Sequence, residues 1–310
     1  GGLTVTGGAQ TLAGVQAYTG ATSIGNGGTL ALAGLGSIAA SSGVANDGML
    51  DISATSNGAS IRALTGSGTV YLGAQDLTLT QASGSFSGSI GGTGGVEIGA
   101  GTQTLGGSNT YTGATRIDSG ATLALTGSGS IALSSALSNN GSFDISGAAG
   151  NVGIQQLSGS GTVQLGTRTL AVLNAASSFG GVLAGTGGFT VGGGTQFLSN
   201  VNTYTGLTTV DAGGSLALSG NGSVAASSGV VANGLFDIAS ATGGASIASL
   251  SGSGGNSQVN LGARTLTLAG SSEADIALAA PRQLASYDVG ATGWVARHRE
   301  RLVIDDISRD

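Results

Sequence analysis

The chain has 310 residues, of which 62 are Gly and one is Pro, with no Cys, no Lys and a net charge of −6. Absence of Cys excludes disulfides, thiolate metal sites and a cysteine nucleophile, and the negative balance argues against nucleic acid as a partner. Glycine at this level without a G-X-Y period excludes collagen, and no run of apolar residues is long enough to form a transmembrane helix.

From the first residue onward, apolar side chains return in short alternating runs. They read "LTVTG" (Leu3–Gly7), "TLALAG" (Thr29–Gly34), "LDIS" (Leu50–Ser53), "TVYLGA" (Thr69–Ala74) and "DLTLT" (Asp76–Thr80). Alternation of this kind predicts short strands with one face inward, and it separates the chain from a flexible linker. Between the runs lie Gly27-Gly28, Asp47-Gly48, Gly66-Ser67-Gly68 and Gly91-Gly92, which read as tight corners.

The apolar phase returns at a fixed interval of about 20 residues, a length typical of one solenoid coil. Leu12, Leu32, Ile52 and Leu72 form one series, and Leu30, Leu50, Val70 and Ile90 form another. Hairpins do not need a constant phase, whereas stacked coils do, because each inward residue must meet its counterpart in the next coil. The expected fold is all-β, a parallel β-helix of roughly 13–14 coils over about 270 residues.

A longer repeat overlies this one. "QAYTGATSIGNGGTLAL" (Gln16–Leu32), "NTYTGATRIDSGATLAL" (Asn109–Leu125) and "NTYTGLTTVDAGGSLAL" (Asn202–Leu218) place Tyr18, Tyr111 and Tyr204 at a constant interval of 93. The blocks run Gly1–Thr93, Gly94–Thr186 and Gly187–Gly270. Since 93 is not a multiple of 20, each block is expected to hold four or five uneven coils. Copy three carries extra residues near Gly255–Ser257, which marks a surface turn. The chain opens inside a repeat, without Met or signal peptide, and reads as part of something longer.

The rhythm stops near Ser271–Glu273. The predicted division is a repeat domain over 1–272 and a charged tail over 273–310, which holds the only Pro, Trp and His (Pro281, Trp294, His298). Within the tail, Arg301–Ile307 is apolar enough for a strand. With Tyr287–Ala296 it could form a hairpin that caps the open edge near Leu266–Leu268.

The stretch Gly94–Leu125, with its GG-start strand, G-x-x-T-L, N-x-Y-T-G-x-T and G-x-L-x-L, resembles the passenger-associated repeat of bacterial autotransporters, and all three blocks carry it. The resemblance implies a right-handed parallel β-helix passenger secreted through a C-terminal β-barrel of the same parent chain. It also implies an extracellular or cell-surface location in the bacterial outer membrane. The tail from Pro281 to Asp310, through "LASYDV", "GWVA" and "SRD", is similar to the end of the fibronectin-III-like C-terminal domain of family 3 glycoside hydrolases.

Catalytic chemistry has few candidates. His298, flanked by Arg297 and Arg299, is an exposed tail residue rather than the centre of a Ser-His-Asp triad. Asp76, Glu97 and Asp118 are evenly spaced, close to one coil apart, so they could form a carboxylate row across adjacent coils, suited to acid–base work or a cation. The plainer reading is a set of solvated acids balanced by Arg116. Asp51, Asp144 and Asp237 share one register but lie several coils apart and are expected to point outward. "GGTGGVEIG" (Gly91–Gly99) has Val where a calcium nonapeptide needs Asp, and the corner Gly66–Gly68 precedes no helix that could bind phosphate. No cofactor or metal site is expected. The three tyrosines either offer an exposed surface for stacking on sugars or cover the corners beside Gly20, Gly113 and Gly206.

Taken together, the residues and the resemblance point to a non-catalytic, adhesin-like stalk whose ligand would be a host surface, matrix component or glycan. The alternative is a carbohydrate-active enzyme or carbohydrate-binding β-helix carrying Asp76, Glu97 and Asp118.

Overall fold

A computed structural model describes residues 1–269 and the short strand Val303–Ile304. Among the described residues there is no helix, and the strands pair in parallel within stacked coils. The chain divides into two units, Gly1–Gln155 and Gln156–Asp310.

In the first unit the strands form three columns. The first begins with Leu3–Val5, Thr22–Ile24, Val44–Asn46 and Leu64–Thr65. A bridge from Gly66 to Phe86 carries it on to Ala82–Phe86, Gly101–Leu105, Thr122–Gly127 and Ser142–Ala148. The second column is Gly8–Leu12, Gly28–Gly34, Met49–Thr55, Thr69–Tyr71 and Ser89–Gly91. The third contains Ala59–Ile61, Leu77–Leu79, Val96–Ile98, Thr115–Ile117 and Leu137–Asn139.

This arrangement resolves the mismatch between 93 and 20. Val96–Ile98 is Leu3–Val5 moved on by one repeat, yet it stands in the third column. Between the two, the chain returns to the first column at Thr22, Val44, Leu64 and Ala82, then crosses the second at Ser89–Gly91. One repeat is therefore four coils and two further columns, and a repeat-mate moves to a different column. The coils are uneven in length: Ala59 pairs with Leu77, a shorter step along the chain than that from Thr22 to its partner Val44.

The second unit has the same construction. Leu170–Val172, residues 189–191, residues 208–210, Val230–Ala232 and Leu250–Ser251 form one column. Ala175–Phe179, residues 194–198, residues 213–220, Leu235–Ala241 and Gln258–Asn260 form the next. Of the extra residues of copy three near Gly255–Ser257, Gly255 and Asn256 lie in an exposed turn and Ser257 is half-buried.

The core lies inside the coils. Leu30, Leu50, Val70 and Ile90 stand in register as one file, each with 0% exposure. Burying such a side chain contributes about 1.5–3 kcal/mol relative to leaving it exposed. The repeated apolar spacing thus becomes a continuous ladder, with alternate residues facing out.

A glycine file makes one corner. A Cβ on Gly48 would fall on the Gly28 carbonyl oxygen, one on Gly68 on that of Gly48, one on Gly88 on that of Gly68, and one on Gly107 on that of Gly88. The coils approach so closely there that no side chain fits, which is why Gly returns at this position.

The aspartates of the LDIS/FDIS/FDIA runs precede a bulge. Pairing is regular through Ala31–Asp51, Ala124–Asp144 and Ala217–Asp237, and the register then shifts. At each bulge the carboxylate accepts a backbone N–H two residues on: Ser53 N to Asp51 Oδ1 at 2.9 Å, Ser146 N to Asp144 Oδ1 at 2.8 Å, and Ala239 N to Asp237 Oδ1 at 2.8 Å. A bulge leaves one residue unpaired in the ladder, and the short Asp side chain supplies a nearby acceptor.

Candidate functional site

The repeat signature N-x-Y-T-G-x-T folds inward. Tyr111 and Tyr204 are 1% and 0% exposed, which removes them as a surface for stacking on sugars. Tyr18 is half-buried. The rings of Tyr111 and Tyr204 sit in the core rather than over a corner, and Tyr204 packs against Phe189 with ring centroids 6.3 Å apart. Burial pushes both phenols well above their ordinary pKa, and the hydrogen bonds to Thr115 and Thr208 act the other way.

Each phenol begins a short hydroxyl chain. Tyr111 Oη and Thr115 Oγ1 are 2.6 Å apart, Thr115 donates to Ser134 Oγ at 2.9 Å, and Ser134 donates to the carbonyls of Gly113 and Ala136 at 2.9 and 3.1 Å. The third copy repeats this with Tyr204, Thr208 and Ser227, ending on Gly206 and Gly229. Tyr18, Thr22 and Ser41 repeat it in the first. The glycine of the signature is steric. A Cβ on Gly113 would meet the Gly94 backbone and one on Gly206 the Gly187 backbone.

The signature asparagine ties neighbouring coils together. Asn109 accepts from Ile90 N at 3.0 Å and donates to Gly107 and Ser130 carbonyls at 3.1 and 3.0 Å. Asn202 makes the same three bonds to Leu183, Asn200 and Ser223. Gln103 and Gln196, also fully buried, each donate to carbonyls of the two preceding coils, Gly84 and Leu64 for Gln103, Ser177 and Leu157 for Gln196. These glutamines were not legible as core residues, because a polar amide in an apolar position breaks the alternation that marks a strand.

The acidic candidates divide. Glu97 stands in register with Thr78 in the preceding coil and Arg116 in the next. The coils there are therefore shorter than the spacing of Asp76, Glu97 and Asp118, which displaces the three acids along the strands. Asp76 Oδ1 accepts from Gly95 N at 2.6 Å. Arg116 Nε lies 2.7 Å from Asp118 Oδ1 and 3.4 Å from Glu97 Oε1, with its side chain 59% exposed. The bond to Asp118, then the charges of Asp118 and Glu97, raise the guanidinium pKa. The geometry places one cation between Glu97 and Asp118 and holds Asp76 on a backbone amide. No group of three or more His, Cys, Asp or Glu among the described residues could hold a metal ion.

Many outward-facing side chains are small and hydroxylated. In the first column of the first unit, Ser83, Thr102, Thr122 and Ser142 stand in one outward row, with Ser85, Thr104, Ala124 and Asp144 beside it. Neighbouring members of a row are spaced by the strand separation of about 4.8 Å. Tyr71 and Phe197 are exposed aromatics, at 44% and 41%, and the most exposed large apolar residues are Val15 and Leu35. His298, Trp294 and the tail's likeness to glycoside hydrolase family 3 lie outside the described residues.

A filled interior, polar ties between coils and flat hydroxylated faces define a parallel β-solenoid whose repeat signature is architectural. The passenger-associated-transport-repeat model matches residues 1–32, 98–125 and 190–218, the three stretches that hold the signature tyrosine, glycine and threonine of each block. The chain thus carries the passenger-associated repeats of autotransporter passengers. The Adhesin BmaC autotransporter of Brucella suis biovar 1 (strain 1330) is 36% identical over 226 residues, which is 67% of this chain and 6% of that protein. The chain thus spans a small part of this relative's length. No solved structure matches the chain.

Proposed function

We propose that this chain is a stretch of a surface-displayed, adhesin-like stalk, exported through a β-barrel belonging to the same parent chain. The observation that carries this reading is the inward use of the repeat signature. Asn109, Tyr111, Gly113 and Thr115 all serve coil stacking. Outer residues are then free to vary while length and stiffness are kept, which suits a spacer bearing adhesive surface. The relative is named as an adhesin, and the ligand of this chain would be a host surface, matrix component or glycan.

The stalk is non-catalytic in this reading. Glu97 and Asp118 flank Arg116, an arrangement suited to charge balance on an otherwise weakly charged surface. The test is attachment by bacteria displaying the parent protein, intact or lacking residues 1–269, to a panel of host cells, matrix proteins and glycans. Loss of attachment without loss of display is expected, and undiminished attachment would overturn the reading. Polysaccharide turnover abolished by Glu97→Gln would favour a carbohydrate-active enzyme instead.

A further inference from the structure

In a parallel solenoid each coil covers the one before it, so a last coil presents apolar side chains and unpaired backbone groups at its edge. In the second unit the strand Leu266–Leu268 pairs in parallel with Ala245–Ile247 beneath it, in the register Ala245↔Leu266, Ser246↔Thr267 and Ile247↔Leu268. On its other side no further coil follows among the described residues. Leu266 and Leu268 are nevertheless 0% and 1% exposed. Leu3 and Leu12, in the first described coil, are only half-buried.

The free edge of Leu266–Leu268 is occupied by Val303–Ile304, which pairs with it antiparallel through Leu266↔Ile304 and Thr267↔Val303. Reversing the strand direction ends the coil. In this column a following coil would require a parallel strand, and Leu266 and Thr267 are already paired. In the sequence Val303–Ile304 lies between Arg301–Leu302 and Asp305–Asp306, and charges beside an edge strand disfavour addition of another.

We propose that Val303–Ile304 is an edge cap, which closes the solenoid to strand addition by a second copy of this chain. The occupant is a named segment of the same molecule, and the surface it protects is the backbone edge of Leu266–Thr267.

Because the chain has no cysteine, engineered pairs read this register directly in the full-length protein. Thr267→Cys with Val303→Cys is expected to form an intramolecular disulfide on mild oxidation, as is the positive control Ser60→Cys with Thr78→Cys, two in-register neighbours of the first unit. Ser246→Cys with Val303→Cys, one strand further away, is expected to stay reduced, since two strand spacings of about 4.8 Å exceed the reach of a disulfide. In a second measurement, Ile304→Pro is introduced into the full chain, removing a backbone donor from the cap. The β-signal in circular dichroism should persist, while multi-angle light scattering shows more concentration-dependent association than in the unsubstituted chain. A missing 267–303 crosslink alongside a formed 60–78 crosslink would overturn the register. Unchanged association in Ile304→Pro would overturn the protective role.

Discussion

Tyr111 and Thr115, four residues apart, share a 2.6 Å hydrogen bond inside the coil, and Thr115 in turn donates to Ser134 in the next coil. The pair explains why a tyrosine and a threonine recur at fixed spacing in every block. A buried phenol needs a partner, and the threonine both supplies it and passes the bond across the coil boundary.

Thr115→Val should therefore cost about 1–3 kcal/mol, because the Tyr111 hydroxyl is left in the core without its partner. Thr112→Val, at an exposed position three residues earlier, should change stability by less than about 0.5 kcal/mol. Urea unfolding of the two variants checks this. Equal midpoints would show that the hydroxyl chain does not hold the coil.

The same tyrosines make the fold sensitive to alkali. Burial raises the Tyr111 and Tyr204 phenols above the ordinary tyrosine value, so the folded chain keeps protons that the unfolded chain releases. Their contribution is fully present below about pH 10 and declines as pH rises toward the raised folded value, by about 1.4 kcal/mol per pH unit for each tyrosine. Melting temperature followed through alkaline pH should fall steeply above about 10. The decline should be shallower in Tyr111→Phe/Tyr204→Phe, and an identical slope would refute the assignment.

At the glycine corner, Gly88→Ala should destabilise by about 3 kcal/mol, since the added carbon meets the Gly68 carbonyl oxygen and both coils must shift. Gly150→Ala meets nothing within 4 Å at its Cβ and should be neutral or stabilising by up to about 1 kcal/mol. Thermal unfolding of both variants distinguishes a steric requirement from a general need for flexibility.

The inside and outside phases can be tested on adjacent residues. Leu123 is fully buried between Gln103 and Phe143 in the register, and Leu123→Asp should cost about 2–7 kcal/mol unless the carboxyl stays protonated. Thr122 faces outward between Thr102 and Ser142, and Thr122→Asp should change stability by less than about 1 kcal/mol. Circular dichroism during denaturant titration reports both.

The solenoid is legible in the chain itself. The apolar series Leu30, Leu50, Val70 and Ile90 becomes one buried file, because a tube of stacked strands demands the same phase in every coil. Corners are legible too, since glycine alone fits where a carbonyl oxygen of the neighbouring coil occupies the space of a side chain. Other relations depended on the local length of each coil, which no fixed period supplies. Asp76, Glu97 and Asp118 miss a common row because the coils there are shorter than their spacing, so that Glu97 meets Thr78 and Arg116 instead. Nothing along the chain showed that Gln103 points inward, since its partners are the carbonyls of Leu64 and Gly84 in the two coils before it. Coil pairing also settled that the long repeat ends two columns beyond a whole number of coils, placing Val96–Ile98 in a different column from Leu3–Val5. Spacing along the chain records that a residue returns, but pairing between coils determines which face it returns to.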